Sequence, residues 1–338
     1  MKAVYVKVPF HFDIRDIEVP VPKPDEVLVK IEAGGICGSD VDRCSIEAVD
    51  YVALGHEVVG TVAEMGSNVH HLRKGDKVII ENCTPCGICE RCKNGEAADC
   101  EFENWIYFQP QPGFAEYLCV HKNSLYPFDG LSFEEAALAE PLTVAMDLVD
   151  VAAISLNNNV AIFGPGPIGL MAVKLCKLRG AKNVYLIGLS CDTARLRAGR
   201  EMGADMTLEA DKVNVVDYFK KEAPRGVERI LIAGPPKTLL DGVAIARYGA
   251  IISLIGIAHG GEEMVTLDIN DFHFKKLQLR ASFIVPNMGF PTALDLLKRK
   301  VIDPALLISH RFKMSEVEKA FRTMVEQKEA VIKVVLTP

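Results

Sequence analysis

The feature that most constrains the fold is a glycine-rich turn, GPGPIG at residues 164–169, which directly follows the apolar segment NVAIF and opens a helical segment. Gly164, Gly166 and Gly169 have the GxGxxG spacing. Glycines at these positions allow a tight turn, close approach of a pyrophosphate and close packing of the helix on the strand. The amino terminus of the helix then faces the phosphates. In the context of strand, turn and helix, this spacing predicts a dinucleotide-binding unit.

The sequence around this turn alternates between strands and helices from about residue 159 to 284. Near-continuous apolar segments such as NVYLIGL and GAIISLIGI are separated by helical segments such as PIGLMAVKLCKLRG. Strands of this kind are typical of a parallel sheet that is covered on both faces. The alternation therefore predicts an α/β unit built on a parallel sheet.

The first 120 residues have a different pattern. MKAVYVKV and EVLVKIEAGG alternate between apolar and polar residues, and further short strand-like segments follow with glycine-rich turns. This spacing favours a small β-barrel or sandwich over a parallel sheet. Ser132 and Glu135 form a capping-box pattern that predicts a helix start, and Pro141 predicts a break or a second helix start within the following apolar run.

Four cysteines have the spacing of a closed metal site. Cys86, Cys89, Cys92 and Cys100 follow the pattern C-x2-C-x2-C-x7-C. Four thiolates can enclose a tetrahedral zinc ion, and such a site is structural because it leaves no position for substrate. Cys83 falls outside the spacing, and we expect it to be a bystander.

A second candidate metal site consists of Cys37, His56 and Glu57. One thiolate, one imidazole and one carboxylate can bind zinc and leave a coordination position open. Zinc with an open position is a Lewis acid that lowers the pKa of a bound hydroxyl. A lone cysteine and a lone His-Glu pair more often have structural roles, so at this point both interpretations stay open.

The segment after the glycine-rich turn bears on the choice of coenzyme. An acidic residue about 20 residues beyond the turn normally binds the ribose 2′-hydroxyl of NAD. Here Ser190 occupies the end of the second strand, Asp192 lies two positions later, and Arg195 and Arg197 follow. Without the carboxylate a 2′-phosphate is not repelled, and an arginine can bind one. The alternative is that both arginines face solvent, so the sequence favours NADP only slightly over NAD.

Charge and hydropathy exclude several classes of protein. The formal net charge is −7, whereas binding to nucleic acid requires a concentrated basic face. The N-terminal sequence MKAVYVKVPF has no apolar stretch long enough for a secretory signal, and the longest apolar stretches are too short to span a bilayer. We therefore expect no nucleic-acid partner, no membrane partner and a cytoplasmic location.

In their order and spacing, these features together resemble the zinc-containing medium-chain alcohol dehydrogenase superfamily. The similarity runs along essentially the whole chain and includes GHEVVGTVAEMGSNVHHLRKGDKV, GFAEY and EEAALAEPLTVA. The nearest branch comprises the polyol, sugar and threonine dehydrogenases, which have a glutamate in the AEPL segment where other alcohol dehydrogenases have a cysteine ligand.

The resemblance implies an α/β protein with two domains. A GroES-like, β-rich catalytic domain would comprise residues 1–148 and 285–338, with a structural zinc lobe at about 83–100. A Rossmann coenzyme-binding domain, with a doubly wound parallel sheet, would comprise residues 149–284. The implied activity is reversible hydride transfer between a secondary alcohol (a polyol, sugar or sugar derivative) and NAD or NADP, in a homodimer or homotetramer with about two zinc ions per chain.

The resemblance also implies roles for individual residues. Cys37, His56 and Glu57 would hold the catalytic zinc, Glu140 would be a fourth ligand or hold the zinc-bound water, and Ser39 would accept the alcohol proton. The structural zinc would be held by Cys86, Cys89, Cys92 and Cys100. Coenzyme contacts would come from Gly164, Gly166, Pro167, Ile168, Gly169, Ser190, Arg195, Ile255, Gly256 and Ile257.

Three departures from the family pattern concern the substrate. Asp42 stands where the family often has a histidine that ends the proton relay. The loop from Arg43 to Leu54 is short and lacks the usual proline before the GHE segment. The segment ASFIV at 281–285 stands where sorbitol-type enzymes have an Arg-Tyr pair, and the apolar Ile284 and Val285 cannot make those contacts. Sorbitol itself is therefore disfavoured as the substrate.

Other functions are compatible with parts of the pattern. An amino-alcohol dehydrogenase of the threonine type would use the same metal and coenzyme residues. A zinc-finger-like binding module built on the four-cysteine lobe is a more remote alternative, which the acidic charge and the dinucleotide fingerprint oppose. A relative that binds coenzyme without catalysis, or a zinc-free quinone reductase, is disfavoured by the complete Cys-His-Glu set.

Overall fold

The chain forms two compact units in a computed structural model that describes residues 1–101, 104–105 (backbone only), 113–259, 262–284 and 289–338. The first unit comprises Met1–Thr143, Ile284–Glu326 and Lys333–Pro338, and the second comprises Val144–Phe283 and Gln327–Ile332. The sequence assigned Gln327–Ile332 to the first domain, but this segment belongs to the second unit. There the backbone N–H of Ala194 donates to the carbonyl of Glu329, and the Arg195 side chain donates to the carbonyl of Val331.

The elements follow one another in a strand-rich half and then an alternating half. The strands are β1 (Lys2–Lys7), β2 (His11–Asp16), β3 (Glu26–Gly35), β4 (Val52–Ala53), β5 (Glu57–Met65), β6 (Lys77–Ile80), β7 (Cys83–Thr84), β8 (Asn104–Trp105), β9 (Tyr117–His121), β10 (Leu125–Pro127), β11 (Asn159–Phe163), β12 (Asn183–Gly188), β13 (Met206–Glu209), β14 (Val227–Ile232), β15 (Ala246–Leu254), β16 (Gln278–Ala281), β17 (Ile308–Lys313) and β18 (Lys333–Thr337). The α-helices are α1 (Gly38–Asp42), α2 (Glu90–Lys93), α3 (Phe133–Ala136), α4 (Ala139–Val151), α5 (Pro167–Leu178), α6 (Thr193–Glu201), α7 (Val215–Glu222), α8 (Leu239–Ile245), α9 (Ile269–Phe274), α10 (Phe290–Lys298) and α11 (Val317–Glu326).

The first unit is built around the long strand β3, which pairs antiparallel with β5 along one edge. Along its other edge β3 pairs with β9 at its start and with β18 at its end, so that this sheet joins an early strand of the chain to its last strand. The sheet order is β10-β6-β5-β3-β18-β17, and β1, β2 and β4 form a separate three-stranded sheet. The core of the larger sheet contains fully buried side chains from four of its strands, as the alternating sequence predicts: Val29, Val58, Val78 and Leu118.

The second unit contains a six-stranded parallel sheet in the order β13-β12-β11-β14-β15-β16. Renumbered from β11, this is the 3-2-1-4-5-6 order of a doubly wound nucleotide-binding fold. The order reverses between β11 and β14, and ligands of such sheets bind beyond the carboxyl ends of the strands at that point. The predicted α/β fold class, with a parallel sheet in this unit, is confirmed.

Two local predictions concern the helices that follow the β-rich region. Ser132 caps α3: its hydroxyl accepts from the Glu135 amide at 3.3 Å, and the Glu135 carboxylate accepts from the Ser132 amide at 2.9 Å. The apolar run then breaks, and α4 begins at Ala139 with Pro141 in its first turn, where a missing N–H costs little. In the described part of the chain, no helix is long and apolar enough to cross a membrane.

Candidate metal centre and coenzyme site

Three candidate metal ligands converge in the first unit. Cys37 follows β3 and caps α1, whereas His56 directly precedes β5 and Glu57 is its first residue. The antiparallel register that places Gly35 opposite Glu57 brings the two segments together. One ligand atom from each of Cys37, His56 and Glu57 lies within 4.8 Å of the others, and both His56 and Glu57 are buried. A soft sulfur, an imidazole nitrogen and a carboxylate oxygen at this separation fit a zinc ion.

The buried carboxylate of Asp40 lies beside Cys37 and His56. Asp40 is fully buried; its Oδ2 accepts a hydrogen bond from the Cys37 amide at 2.9 Å, and its Oδ1 lies 3.6 Å from His56 Nδ1. Burial lowers the pKa of His56, but the Asp40 carboxylate and the Cys37 sulfur more than offset it, so this pKa lies well above its usual 6.5. The surrounding charge therefore favours a cation at this position. In zinc sites a carboxylate behind the histidine also fixes the orientation of the ring.

Lys333 is a functional residue that the sequence analysis missed. Its ammonium group is buried, donates to the Ile36 carbonyl at 2.9 Å and to Glu57 Oε1 at 2.5 Å, and also contacts Glu57 Oε2. Burial lowers the pKa of Lys333, but the charges of Glu57 and Cys37 outweigh that effect and raise it above 10.5. The carboxylate of this candidate metal ligand is thus also held by a buried cation.

Gly35 makes this ion pair sterically feasible. A Cβ atom on Gly35 would lie 2.0 Å from Glu57 Oε2 and 2.9 Å from Lys333 Cε. Any larger residue at the end of β3 would displace the carboxylate or the lysine stem. The glycine therefore has a packing role beside the metal cluster, and the pairing of β3 with both β5 and β18 explains why.

Glu140 lies in the first turn of α4, where the positive end of the helix dipole favours a carboxylate. It is buried, and its Oε1 accepts a hydrogen bond from Asn82 Nδ2 at 2.8 Å. Its oxygens do not join the cluster of Cys37, His56 and Glu57. Asn82, two residues after the end of the predicted strand GDKVII, is a further residue near Glu140 that the sequence analysis did not single out.

The residues that the sequence connects with proton transfer and substrate lie on α1 and after β16. Ser39 is in the first turn of α1 and is partly buried, and Asp42 ends the same helix. Ser282 is buried and donates to Asp147 Oδ2 at 2.6 Å, whereas Phe283 is exposed. Val285, the last residue of the ASFIV segment, lies outside the described residues.

The four cysteines of the second candidate site also converge. The sulfur atoms of Cys86, Cys89, Cys92 and Cys100 lie within 4.8 Å of one another. Backbone N–H groups of Ile88 and Cys89 donate to the Cys86 sulfur and lower the pKa of this thiol to about 6. Burial raises the pKa of Cys92 to about 12. Four sulfurs at this distance can all be thiolates only around a cation, so the donor set fits a structural zinc ion.

Replacing Cys89 by serine is expected to remove this metal while leaving the other site loaded. Metal analysis should show a loss of about one zinc ion per chain, and the thermal midpoint should fall because metal binding stabilises the folded lobe. Cys83→Ser is the matched control, since buried Cys83 lies outside the cluster. Unchanged zinc content in Cys89→Ser, or an equal loss in Cys83→Ser, would contradict the assignment.

The glycine-rich turn lies at the carboxyl end of β11, where the strand order reverses. Gly164 has φ +100°, and a Cβ there would lie 2.5 Å from the amide nitrogen of Gly234. A Cβ on Gly169 would lie 2.0 Å from the Gly164 carbonyl oxygen, so helix α5 packs closely on the turn. A Cβ on Gly166 would meet nothing within 4 Å, which leaves open space at the amino terminus of α5. The turn thus has the close packing and the open cradle that a pyrophosphate requires.

The remaining candidate coenzyme residues follow the carboxyl ends of strands β11, β12 and β15. Pro167 and Ile168 form the first turn of α5. Ile255 and Gly256 both donate to the Ile232 carbonyl, and a Cβ on Gly256 would lie 1.9 Å from the Gly234 carbonyl oxygen, whereas Ile257 is exposed. Ser190 follows the end of β12, and Arg195 on α6 is bound to the Val331 carbonyl.

Two protein-family models match two successive parts of the chain. Residues 23–130 match the family model for the alcohol dehydrogenase GroES-like domain, and residues 167–299 match that for zinc-binding dehydrogenases. Sorbitol dehydrogenase of Gallus gallus is 33% identical over 325 residues, which cover 90% of this chain and 88% of that protein.

Two solved structures have the same fold over the full length. A zinc-binding dehydrogenase from Sinorhizobium meliloti 1021, bound to NADP, has a TM-score of 0.88 and 29% identity, with 100% of this chain and 99% of that chain covered. Galactitol-1-phosphate dehydrogenase from Escherichia coli has a TM-score of 0.87 and 28% identity, with 100% of both chains covered.

Fold, site and similarity define a zinc-type alcohol dehydrogenase, an oxidoreductase whose cofactors are zinc and a nicotinamide dinucleotide. Within that class, the chain belongs to the polyol dehydrogenase branch of the zinc-containing medium-chain alcohol dehydrogenase superfamily. The predicted family is confirmed.

Proposed function

We propose that this enzyme catalyses reversible hydride transfer between a secondary alcohol of a polyol, sugar or sugar derivative and a nicotinamide coenzyme, with about two zinc ions per chain. The observation that carries the proposal is the convergence of Cys37, His56 and Glu57 in a chain that also has the glycine-rich turn. In the forward direction, a C–H and an O–H bond of the alcohol break and a ketone forms. The hydride reduces the coenzyme, and the proton leaves to solvent.

The chain's own residues divide the work between two sites. Cys37, His56 and Glu57 would hold the catalytic zinc, which when bound supplies Lewis acidity toward the substrate hydroxyl. Ser39 lies two residues after Cys37 and would take the hydroxyl proton as the first member of a relay. Glu140 accepts a hydrogen bond from Asn82 and would be a fourth zinc ligand or hold the zinc-bound water. Gly166 and the first turn of α5 would bind the coenzyme pyrophosphate.

The substrate class is supported by relatives named as sorbitol and galactitol-1-phosphate dehydrogenases. Ile284 is apolar and stands where sorbitol-type enzymes have part of an Arg-Tyr pair that contacts the substrate. This apolar residue favours a polyol or sugar derivative other than sorbitol. The same metal and coenzyme residues would also serve an amino-alcohol dehydrogenase of the threonine type.

A substrate screen tests the proposal. The zinc-loaded protein is incubated with polyols, sugars, inositols, sugar phosphates and amino alcohols, each with NAD and with NADP, and coenzyme reduction is followed by absorbance. We expect turnover with one class of polyol or sugar derivative. Turnover restricted to amino alcohols would transfer the assignment to the threonine type, and reduction of neither coenzyme with any alcohol would contradict the proposal.

Assembly and location complete the proposal. We propose a homodimer or homotetramer, since β16 is an edge strand of the parallel sheet with exposed Leu279, and Ile269 and Phe274 of α9 are also exposed. Sedimentation of the protein as a monomer would contradict this. We also propose a cytoplasmic location, because none of the ten cysteines forms a disulfide, whereas disulfides are typical of proteins in oxidising compartments.

A further inference from the structure

The end of β12 is the place where a dinucleotide-binding unit normally presents an acidic residue to the ribose. In this chain Ser190 stands at that position. A nearby carboxylate, that of Asp211, supplies a negative charge there. The Ser190 amide donates to Asp211 Oδ1 at 2.7 Å, and the Ser190 hydroxyl donates to Asp211 Oδ2 at 2.5 Å. A carboxylate from elsewhere in the chain is thus bound directly to the residue at the ribose-recognition position.

The topology of the sheet explains this contact. Asp211 follows β13, which pairs in parallel with β12, and Gly188 lies opposite Glu209 in the register. The Ala210 amide continues the pairing by donating to the Gly188 carbonyl at 2.8 Å. Because the carboxyl ends of parallel strands meet at one edge, the residues just beyond β12 and β13 become neighbours.

Asp192 and Arg195, two charged groups close to Ser190, are engaged with each other and with the backbone. Asp192 is buried; its Oδ2 accepts from the Leu189 amide at 2.9 Å, and its Oδ1 pairs with Arg195 at 3.2 Å. Arg195 also donates to the Val331 carbonyl at 2.8 Å, so its guanidinium is held by protein groups. Arg197 lies two positions further along α6. Residues with this spacing do not share a helix face, so Arg197 points in a different direction from Arg195.

Asp211 has the properties that ribose recognition requires. Its side chain is exposed, and the hydrogen bonds from the Ser190 hydroxyl and amide lower its pKa, so that it is ionised at neutral pH. Each carboxylate oxygen accepts one bond from Ser190 and retains a lone pair for a further donor. A ribose hydroxyl can supply that donor, whereas a 2′-phosphate is repelled by the negative charge.

We propose that Asp211 takes the place of the acidic residue missing at Ser190, binds the adenosine ribose and makes the enzyme prefer NAD to NADP. This inference rests on the proposed function, since it concerns the coenzyme of the same reaction. It reverses the slight preference for NADP that the sequence alone suggested. That preference depended on an absent carboxylate and a free arginine, whereas the structure supplies a carboxylate and engages Arg195.

Equilibrium binding of NADH and NADPH to the zinc-loaded full chain, followed by nicotinamide fluorescence, tests the inference without knowledge of the substrate. We expect the wild type to bind NADH at least about tenfold more tightly than NADPH. A tenfold difference corresponds to the free energy that one hydrogen bond to a charged group contributes. Asp211→Asn should weaken NADH binding and strengthen NADPH binding, so that the ratio approaches one. Higher ionic strength should narrow the wild-type ratio, because screening weakens the repulsion.

Two further variants separate recognition from changes in charge or folding. Asp217→Asn removes another exposed carboxylate of the same unit, and its ratio should equal that of the wild type. Ser190→Ala retains the Asp211 charge but removes the hydrogen bond from the Ser190 hydroxyl to Asp211. This variant should show a smaller preference for NADH over NADPH than the wild type. Equal binding of both dinucleotides by the wild type, tighter binding of NADPH, or an unchanged ratio in Asp211→Asn would overturn the inference alone. Failure to bind either dinucleotide would overturn the proposed function with it.

Discussion

Replacement of Cys37 by serine is expected to reduce alcohol-dependent coenzyme reduction by about a thousandfold or more. The reason is that Lewis acidity toward the substrate hydroxyl contributes several kcal/mol to the barrier, and each 1.4 kcal/mol is about a tenfold change in rate. The fold should survive, because Cys37 is only partly buried and lies outside the apolar core of its unit. Circular dichroism and NADH binding should therefore be close to those of the wild type.

Metal content and a matched cysteine variant make this result specific. Cys37→Ser should lose about one zinc ion per chain and keep the four-cysteine site. Cys191→Ser changes an exposed cysteine outside both clusters, and should retain both metals and full turnover. Wild-type turnover in Cys37→Ser would exclude the proposed catalytic role of the cluster.

Replacement of Lys333 by methionine is expected to destabilise the metal-free protein by about 3–5 kcal/mol, because it leaves the buried Glu57 carboxylate without its cation. The zinc-loaded protein should lose less, since a metal ion on Glu57 compensates the same charge. Zinc should accordingly raise the thermal midpoint more in the variant than in the wild type. Thermal unfolding with and without chelator measures both quantities.

An exposed pair of the same chemistry serves as the control. Lys319 forms an ion pair with Glu316 at 3.2 Å, and Lys319→Met should change stability by less than about 1 kcal/mol because both side chains are largely in water. If Lys333→Met destabilises the loaded and the metal-free proteins equally, Glu57 does not share its charge with a metal. A loss as small as that of the control would show that the buried pair contributes little.

The sequence predicted those parts of the fold that depend on local pattern. The strands and helices flanking the glycine-rich turn, the capping box at Ser132 and the helix break near Pro141 agree with the structure because each depends on residues close together in the chain. The strands β13 (MTLE) and β16 (QLRA) were missed. They are short, polar edge strands with little buried surface, so they lack the apolar run that marks a central strand.

The contacts that the sequence did not predict join residues distant in the chain. Lys333 and Glu57 meet because β18 and β5 both pair with β3, and no local spacing indicates such a pairing. Asp211 reaches Ser190 through the parallel register of β12 and β13, one of which the sequence analysis had not recognised. The placement of Gln327–Ile332 in the second unit likewise depends on long-range hydrogen bonds that its carbonyl groups accept from Ala194 and Arg195. One signal was available for Lys333: a lysine within the apolar segment VIKVVL is expensive to bury without a partner.

The most direct test of the central claim, zinc-dependent oxidation of a secondary alcohol, is to remove the metal and restore it. A chelator is used to strip the catalytic zinc, and coenzyme reduction with the best substrate of the screen is measured before stripping, after stripping and after Zn²⁺ is added back. We predict that turnover disappears with the metal, returns in proportion to the zinc rebound, and is not restored in Cys37→Ser. Undiminished turnover by protein shown to be free of zinc at this site would contradict the account.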